Sequence, residues 1–287
     1  MEFTKDNSIR IQNPSGSAEV APLFFDSPHS GCQFPDDFKA IISLMRLRRA
    51  EDAFVNDLFS EAPNLGAPLI EALFPRSYMD TNRAETDFSP EDLSDQWPLT
   101  LMPSEKGARG TGLVWVRMHG FDEVYGEKLS SGALKHRIDT CWVPYHLAVS
   151  KLYNQLFEQF GVVYHLNCHS MRAMGNSKDV GAAHPRPDFI LSDRDGTTCE
   201  LGLVKATKDY LENLGYVVSI NYPFKGAELI QRYSDPLGGR HSMQIEINRR
   251  LYMNEEAIEK LPDFDNFKVK MTGLIKFLAA YAKSKAT

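Results

Sequence analysis

Nowhere does the chain hold the roughly eighteen consecutive apolar residues that a membrane helix needs. Its opening residues, Met1-Glu2-Phe3-Thr4-Lys5 onward, also lack the apolar centre of a secretory signal. These absences lead us to expect a soluble, cytoplasmic protein with no membrane partner. Basic residues are in deficit, 32 Lys and Arg against 38 Asp and Glu, for a formal net charge of -6. A general nucleic-acid binder needs a concentrated basic face to neutralise phosphates, so this balance argues against nucleic acid and favours a small-molecule partner. Cysteine is sparse as well: Cys32, Cys141, Cys168 and Cys199 stand far apart and form no Cys-x-x-Cys pair. That pattern suits reduced thiols rather than a disulfide framework or a structural zinc site. No repeat, low-complexity tract or Pro/Ser-rich linker marks a boundary. With 287 residues, 43% of them hydrophobic and 24% charged, we expect one large domain over 1–287, residues 1–20 forming a polar N-terminal extension.

Helical and strand-like patterns alternate along the chain, the mark of an α/β sheet with helices on both faces. Strands are expected at Leu23 to Ser27, Pro68 to Phe74, Val162 to Asn167, Phe189 to Leu191, Val217 to Asn221 and Met243 to Ile247. Helices are expected at Arg49 to Ser60, Tyr145 to Phe160, Cys199 to Leu214, Glu255 to Leu261 and Asn266 to Ala282. Ser89 to Gly112 is rich in Pro, Gly and charge and reads as a long surface excursion, a lid or a plain insertion.

Candidate chemistry gathers at strand ends. His169 follows the apolar run Val162-Val163-Tyr164-His165-Leu166, where open α/β sheets place their ligands. His29, in Asp26-Ser27-Pro28-His29-Ser30-Gly31, bears the same relation to Pro22-Leu23-Phe24-Phe25, and two strand-end histidines suggest one site. Neighbouring strand residues face opposite sides, so Cys168 should be buried behind the sheet rather than poised beside His169. The segment Arg76-Ser77-Tyr78-Met79-Asp80-Thr81-Asn82-Arg83 is poor core material, and its arginines suit the grip of an anion. In Gln244-Ile245-Glu246-Ile247, Gln244 and Glu246 share one strand face and the isoleucines the other. A carboxylate inside a strand must be hydrated, paired or catalytic. Two histidines, a carboxylate and an open fourth position make a catalytic zinc arrangement, although the spacing is not of the His-Glu-x-x-His type. The assignment is then an activated water as nucleophile, Glu246 as general base and arginine as anion clamp.

The ordered set Ser27-Pro28-His29-Ser30-Gly31, Asp80-Thr81-Asn82-Arg83, Cys168-His169-Ser170-Met171 and Gly239 to Arg249 resembles the N-formylglutamate amidohydrolase family. Pro144-Tyr145-His146, Asp188 to Cys199 and Leu251-Tyr252-Met253 extend the likeness, which runs from about Pro22 to about Glu255. The resemblance implies a three-layer α/β/α fold of the phosphorylase/hydrolase-like type, its twisted sheet mixed and mostly parallel. It also implies distant kinship with zinc carboxypeptidases and aspartoacylases. By the same resemblance, His29 and His169 are zinc ligands, Asn82 with Arg83 holds a substrate carboxylate, and Glu246 activates water. The third ligand departs from the pattern: relatives use a His-x-x-Glu step, and three residues after His29 this chain has Cys32. A Cys32 thiolate would make a softer site than hydrolytic relatives use. Asp52, at the start of an expected helix, takes the place of the missing glutamate, with Asp80 as competitor. In relatives, however, the Asp80 motif orients a zinc histidine from one layer out.

The resemblance implies a zinc-dependent single-domain enzyme that releases formate and L-glutamate from N-formyl-L-glutamate, in histidine degradation. Arg76 or Arg83 would help neutralise negative charge, and Arg172, Arg186 and Arg240 could complete a basic pocket. Two rivals are a deacylase or carboxypeptidase-like hydrolase of another N-acyl amino acid and a catalytically silent binding module that kept the fold. Oligomeric state is not readable from the sequence.

Overall fold

A computed structural model of the chain describes residues 2–16, 18–118, 122–175 and 184–286. Seven strands, β1 (Ile9–Gln12), β2 (Leu23–Ser27), β3 (Leu69–Ala72), β4 (Val163–Met171), β5 (Phe189–Ser192), β6 (Val218–Ile220) and β7 (Arg240–Asn248), form one sheet in the order β1-β3-β2-β4-β7-β5-β6. Pairs β2/β4, β4/β7 and β5/β6 are parallel and β5/β7 is antiparallel. The sheet is therefore mixed and mostly parallel, and with its helices it is consistent with the expected three-layer α/β fold. The helices, in chain order, are α1 (Leu44–Arg48), α2 (Val55–Leu58), α3 (Glu105–Ala108), α4 (Ser131–Arg137), α5 (Val143–Phe160), α6 (Leu201–Asn213), α7 (Glu228–Tyr233) and α8 (Phe264–Lys283). Among the described residues, no helix is long and apolar enough to cross a membrane.

The chain divides into two compact units: Met1–Arg10, Pro28–Glu51 and Glu71–Val149 form one, and Ile11–Ser27, Asp52–Ile70 and Ser150–Thr287 form the other. The second unit shows how residue alternation creates a site. Along β4, Tyr164, Leu166 and Cys168 belong to the apolar core, as do Met243, Ile245 and Ile247 along β7. They pack with Leu203, Val204 and Leu211 of α6 and with Phe267, Met271, Leu274, Ile275 and Leu278 of α8, residues that recur every three or four positions along one helix face. The intervening residues, His165, Asn167 and His169 on β4 and Ser242, Gln244 and Glu246 on β7, must then face the other side. Slipping the register by one residue would drive these six polar groups into the apolar layer and expel its side chains, at about 1.5–3 kcal/mol for each large one lost from burial. Pairing and chemistry are thus set by the same pattern.

The first unit is organised differently. Leu47, Ala50, Trp115, Met118 and Val124 make a small core, joined by Phe34, Phe38 and Tyr125. Arg137 of α4 is buried with its guanidinium 4.1 Å from the centre of the Tyr78 ring, and it donates to Tyr125 Oη at 2.7 Å. The excursion at 89–112 has a 3-10 turn at Pro90–Asp92 and the short α3. The buried Asp87 carboxylate ties it down, accepting from the backbone N–H and the hydroxyl of Ser104 at 2.6 and 2.8 Å.

Several expected elements change. The helix expected over 49–60 shrinks to α2, because Phe54 takes a left-handed φ of 65° that no helix continues through. Strand β4 runs on to Met171, because β7 pairs with it through Met171↔Asn248, so His169 lies within the strand. The helix expected over 255–261 is replaced by a hairpin, β8 (Met253–Asn254) against β9 (Glu259–Lys260). Asn254 Oδ1 accepts the N–H groups of Glu256 and Ala257 at 3.0 and 3.1 Å, a turn that competes with helix formation. The first twenty residues, expected as a polar extension, supply β1, and Phe3 is buried with its ring 5.9 Å from that of Phe74.

Candidate active site and metal centre

The row of polar residues on β4 and β7 is paired level by level: His165 with Ser242, Asn167 with Gln244, and His169 with Glu246. His169 and Glu246 therefore sit side by side on one sheet face, and Cys168 is buried on the other, as alternation predicts. The ring of His169 is held from both nitrogens. Nε2 lies 2.7 Å from Asn167 Oδ1, and Nδ1 lies 3.0 Å from Asp52 Oδ2. Asp52 is buried, and its other oxygen, Oδ1, accepts from Arg249 Nη2 at 3.1 Å. Arg249 also donates from Nε to Ser170 Oγ at 3.0 Å. Glu246 Oε1 accepts from Gln244 Nε2 at 2.9 Å, while Gln244 Oε1 is buried with no partner among the described residues.

His29 stands two residues beyond β2, on a turn whose Gly31 has no room for a side chain. A Cβ there would lie 2.3 Å from the carbonyl oxygen of Phe74, so only glycine lets the turn approach this closely. The buried His29 Nε2 lies 2.7 Å from Asp80 Oδ1. Asp80 also accepts from Arg76 Nη2 and Nε on Oδ2, at 2.9 and 3.3 Å, and from the backbone N–H of Asn82 at 3.0 Å. Burial alone would push the Asp80 carboxyl up, but the positive charges of His29, Arg76 and Arg83 hold it well below the usual carboxylate range. An ionised Asp80 accepts the proton of Nε2–H, and when the ring is neutral its lone pair then lies on Nδ1.

His29, Asp52 and His169 are all buried, and each offers one ligand atom, these atoms lying within 4.8 Å of one another. This His-Asp-His group could hold a metal ion. The contacts are compatible with the fit: in the Nε2–H tautomer, donating to Asn167 Oδ1, His169 has its lone pair on Nδ1, beside an Asp52 carboxylate that also accepts from Arg249. A metal ion, or the Nδ1 proton of a charged imidazolium, satisfies the pair at 3.0 Å. Two nitrogens and a carboxylate oxygen are the donor types that zinc takes in hydrolytic sites.

The arginines separate. Arg76 is committed to Asp80 and has its guanidinium 5.1 Å from the Trp115 ring centre. Arg83 donates from Nη1 to the carbonyl of Asn82 at 2.9 Å, and its Nε is buried without a partner among the described residues. Nearby in sequence, the hydroxyls of Ser77 and Thr81 are likewise buried and unpaired among the described residues. The loop carrying Asn82 and Arg83 is fixed from the π-helical turn Ile138–Trp142 and the start of α5. Trp142 Nε1 donates to the carbonyl of Arg83 at 3.0 Å, and His146 Nε2 donates to that of Thr81 at 2.9 Å, the two rings stacked 3.7 Å apart. Arg186 donates to the carbonyl of Arg172 at 3.2 Å, which joins these two arginines through the backbone. Arg240 is not brought to the site. It opens β7, six residues and roughly 20 Å of strand from Glu246, where it donates to Asn154 at 3.0 Å and lies 4.5 Å from the Phe157 ring centre.

Sequence reading passed over Asn167, Arg249, Trp142 and His146 as functional residues. A polar residue at every second position of β4 was the available signal for Asn167, since Asn in a buried strand needs a partner. Arg249 ends a segment that carries the resemblance, but nothing local pointed to its partner Asp52, 197 residues away.

A sequence profile of N-formylglutamate amidohydrolase matches residues 21–253. An N-formylglutamate deformylase of Pseudomonas putida is 28% identical over 238 residues, 82% of this chain and 82% of that protein. Another, from Pseudomonas aeruginosa, is 25% identical over 240 residues, 82% of this chain and 84% of that one. The crystal structure of an N-formylglutamate amidohydrolase from Ralstonia eutropha JMP134 superposes with a TM-score of 0.92 at 38% identity, covering 96% of this chain and 99% of that one.

Proposed function

The chain belongs to the N-formylglutamate amidohydrolase family, and from that premise we propose that it is a metal-dependent amidohydrolase cleaving N-formyl-L-glutamate to formate and L-glutamate. The observation that carries the metal reading is the buried His29, Asp52 and His169 group, with His169 Nδ1 3.0 Å from the Asp52 carboxylate. A divalent cation of the zinc type, when bound there, supplies Lewis acidity toward the amide carbonyl and makes water easier to deprotonate. His29, Asp52 and His169 would hold it, each offering one ligand atom.

Protein groups supply the remaining steps. Glu246, with Oε1 held by Gln244, takes the water proton on Oε2 and delivers it to the departing amine nitrogen. Burial and the neighbouring strand fix this carboxylate, so little orientational freedom is lost as the reaction proceeds. Arg83 grips a substrate carboxylate, its Nε gaining a partner that it lacks among the described residues. Asn82 stands beside it, and Trp142 and His146 hold the backbone of this loop so that the grip stays in register. Arg76 keeps Asp80 ionised, and Asp80 holds His29. The acidic chain thereby presents locally basic groups to a dianion.

The test combines metal analysis with formate release from N-formyl-L-glutamate, N-formyl-L-aspartate and N-acetyl-L-glutamate. We expect about one zinc-type ion per chain, activity lost to a chelator and restored by metal, and the highest kcat/KM for N-formyl-L-glutamate. Full activity of metal-free protein overturns the mechanism, and a clear preference for one of the other two compounds overturns the substrate.

A further inference from the structure

Four fully buried side chains of the second unit, Asp26, His165, Asn167 and Ser242, form a hydrogen-bonded line that ends on His169. Asp26 Oδ1 lies 2.8 Å from Asn167 Nδ2 and 2.9 Å from His165 Nε2. A carboxylate oxygen only accepts, so both nitrogens donate to it. His165 then has its lone pair on Nδ1, where the Ser242 hydroxyl donates at 2.8 Å. For Asn167 the consequence is a fixed amide orientation, because the reverse would set its carbonyl oxygen against the carboxylate. Its Oδ1 must therefore point at His169 Nε2, 2.7 Å away, and an amide oxygen accepts only from a protonated nitrogen.

We propose that Asn167, oriented by Asp26, is a positioning residue that holds His169 as the Nε2–H tautomer and so aims Nδ1 at the cation. The inference rests on the metal reading above. Metal-bound imidazoles generally need an acceptor on the second nitrogen to fix ring and tautomer, and losing one weakens metal affinity about 10–100-fold. On His29 that acceptor is a carboxylate, Asp80. On His169 it is a neutral amide that cannot be mis-set, since the buried carboxylate behind it reads which end is which. His165, held between Asp26 and Ser242 and stacked 4.6 Å from the Phe24 ring, keeps that carboxylate in place.

The experiment uses protein with 15N-labelled histidine, loaded with zinc, together with zinc affinity measured by chelator competition. In the wild type, His169 should show a protonated Nε2 and a metal-bound Nδ1. Asn167→Leu, which keeps volume and removes the acceptor, should weaken zinc binding about 10–100-fold and lose the protected Nε2–H signal. Asp26→Asn should shift both readouts the same way by less, and with the wild-type spectrum it decides the matter if Asn167→Leu does not fold. Zinc on Nε2 with the proton on Nδ1 overturns this inference alone. So does a folded Asn167→Leu with unchanged zinc affinity, even if its metal-free melting temperature falls, because a purely structural role would do that. A wild type that binds no zinc overturns the metal reading and this inference with it.

Discussion

Replacing Glu246 by Gln separates a catalytic carboxylate from a structural one. The side chain is only 9% exposed and accepts from Gln244 Nε2 at 2.9 Å. A hydrogen bond to a charged group contributes about 1.5–3 kcal/mol, and the neutral bond that a glutamine oxygen would accept in its place about 0.5–1.5 kcal/mol. The stability loss is therefore on the order of 1 kcal/mol, a fall in melting temperature of about 2–4 °C for a chain of this size. Loss of a general base instead lowers kcat by roughly two to four powers of ten, about 2.7–5.4 kcal/mol at 1.36 kcal/mol per tenfold. The two effects differ enough to be read apart. Metal content should not change, since Glu246 is outside the His29, Asp52 and His169 group. Formate release under saturating substrate, melting temperature and metal analysis should then show a folded, metal-replete protein with KM nearly unchanged and kcat collapsed. Near wild-type turnover in such a protein would refute the base assignment. Loss of metal would move Glu246 into the coordination sphere and leave the base to be another group.

Asp52→Ala should abolish metal occupancy and also destabilise the metal-free protein by about 3–5 kcal/mol, because it strands the buried Arg249 guanidinium; Asp80→Ala should weaken metal binding without abolishing it, and metal analysis showing the reverse order would exchange their roles. Arg83→Ala should raise KM for N-formyl-L-glutamate by the equivalent of about 1.5–3 kcal/mol and spare an analogue whose free carboxylate is amidated. Arg240→Ala, changed at the far end of β7, should leave KM for both compounds alone; equal losses in the two variants would show that the grip is not where Arg83 stands.

Alternation and spacing are local properties, and what depends on them was legible in the chain itself. Leu23 to Ser27 is a strand with the bounds that its residues predict. The division of Gln244 and Glu246 from Ile245 and Ile247 follows from a period of two, as does the burial of Cys168 behind His169. A recognisable ordered set of motifs carried the family. Local preference misled where a side chain bonded its own backbone, as Asn254 does in place of the expected helix, or where one residue took a left-handed turn, as Phe54 does before α2. It also ended β4 too soon, because the strand's last residues are held by pairing with β7 rather than by their own propensity. Roles that depend on a partner distant in sequence were beyond it. Whether Asp52 or Asp80 faces His169 is decided by which carboxylate the fold delivers to Nδ1. The tautomer of His169 is decided by Asp26, 141 residues from Asn167. A proton's position on a ring depends on every acceptor around it, and only the folded chain brings those acceptors together.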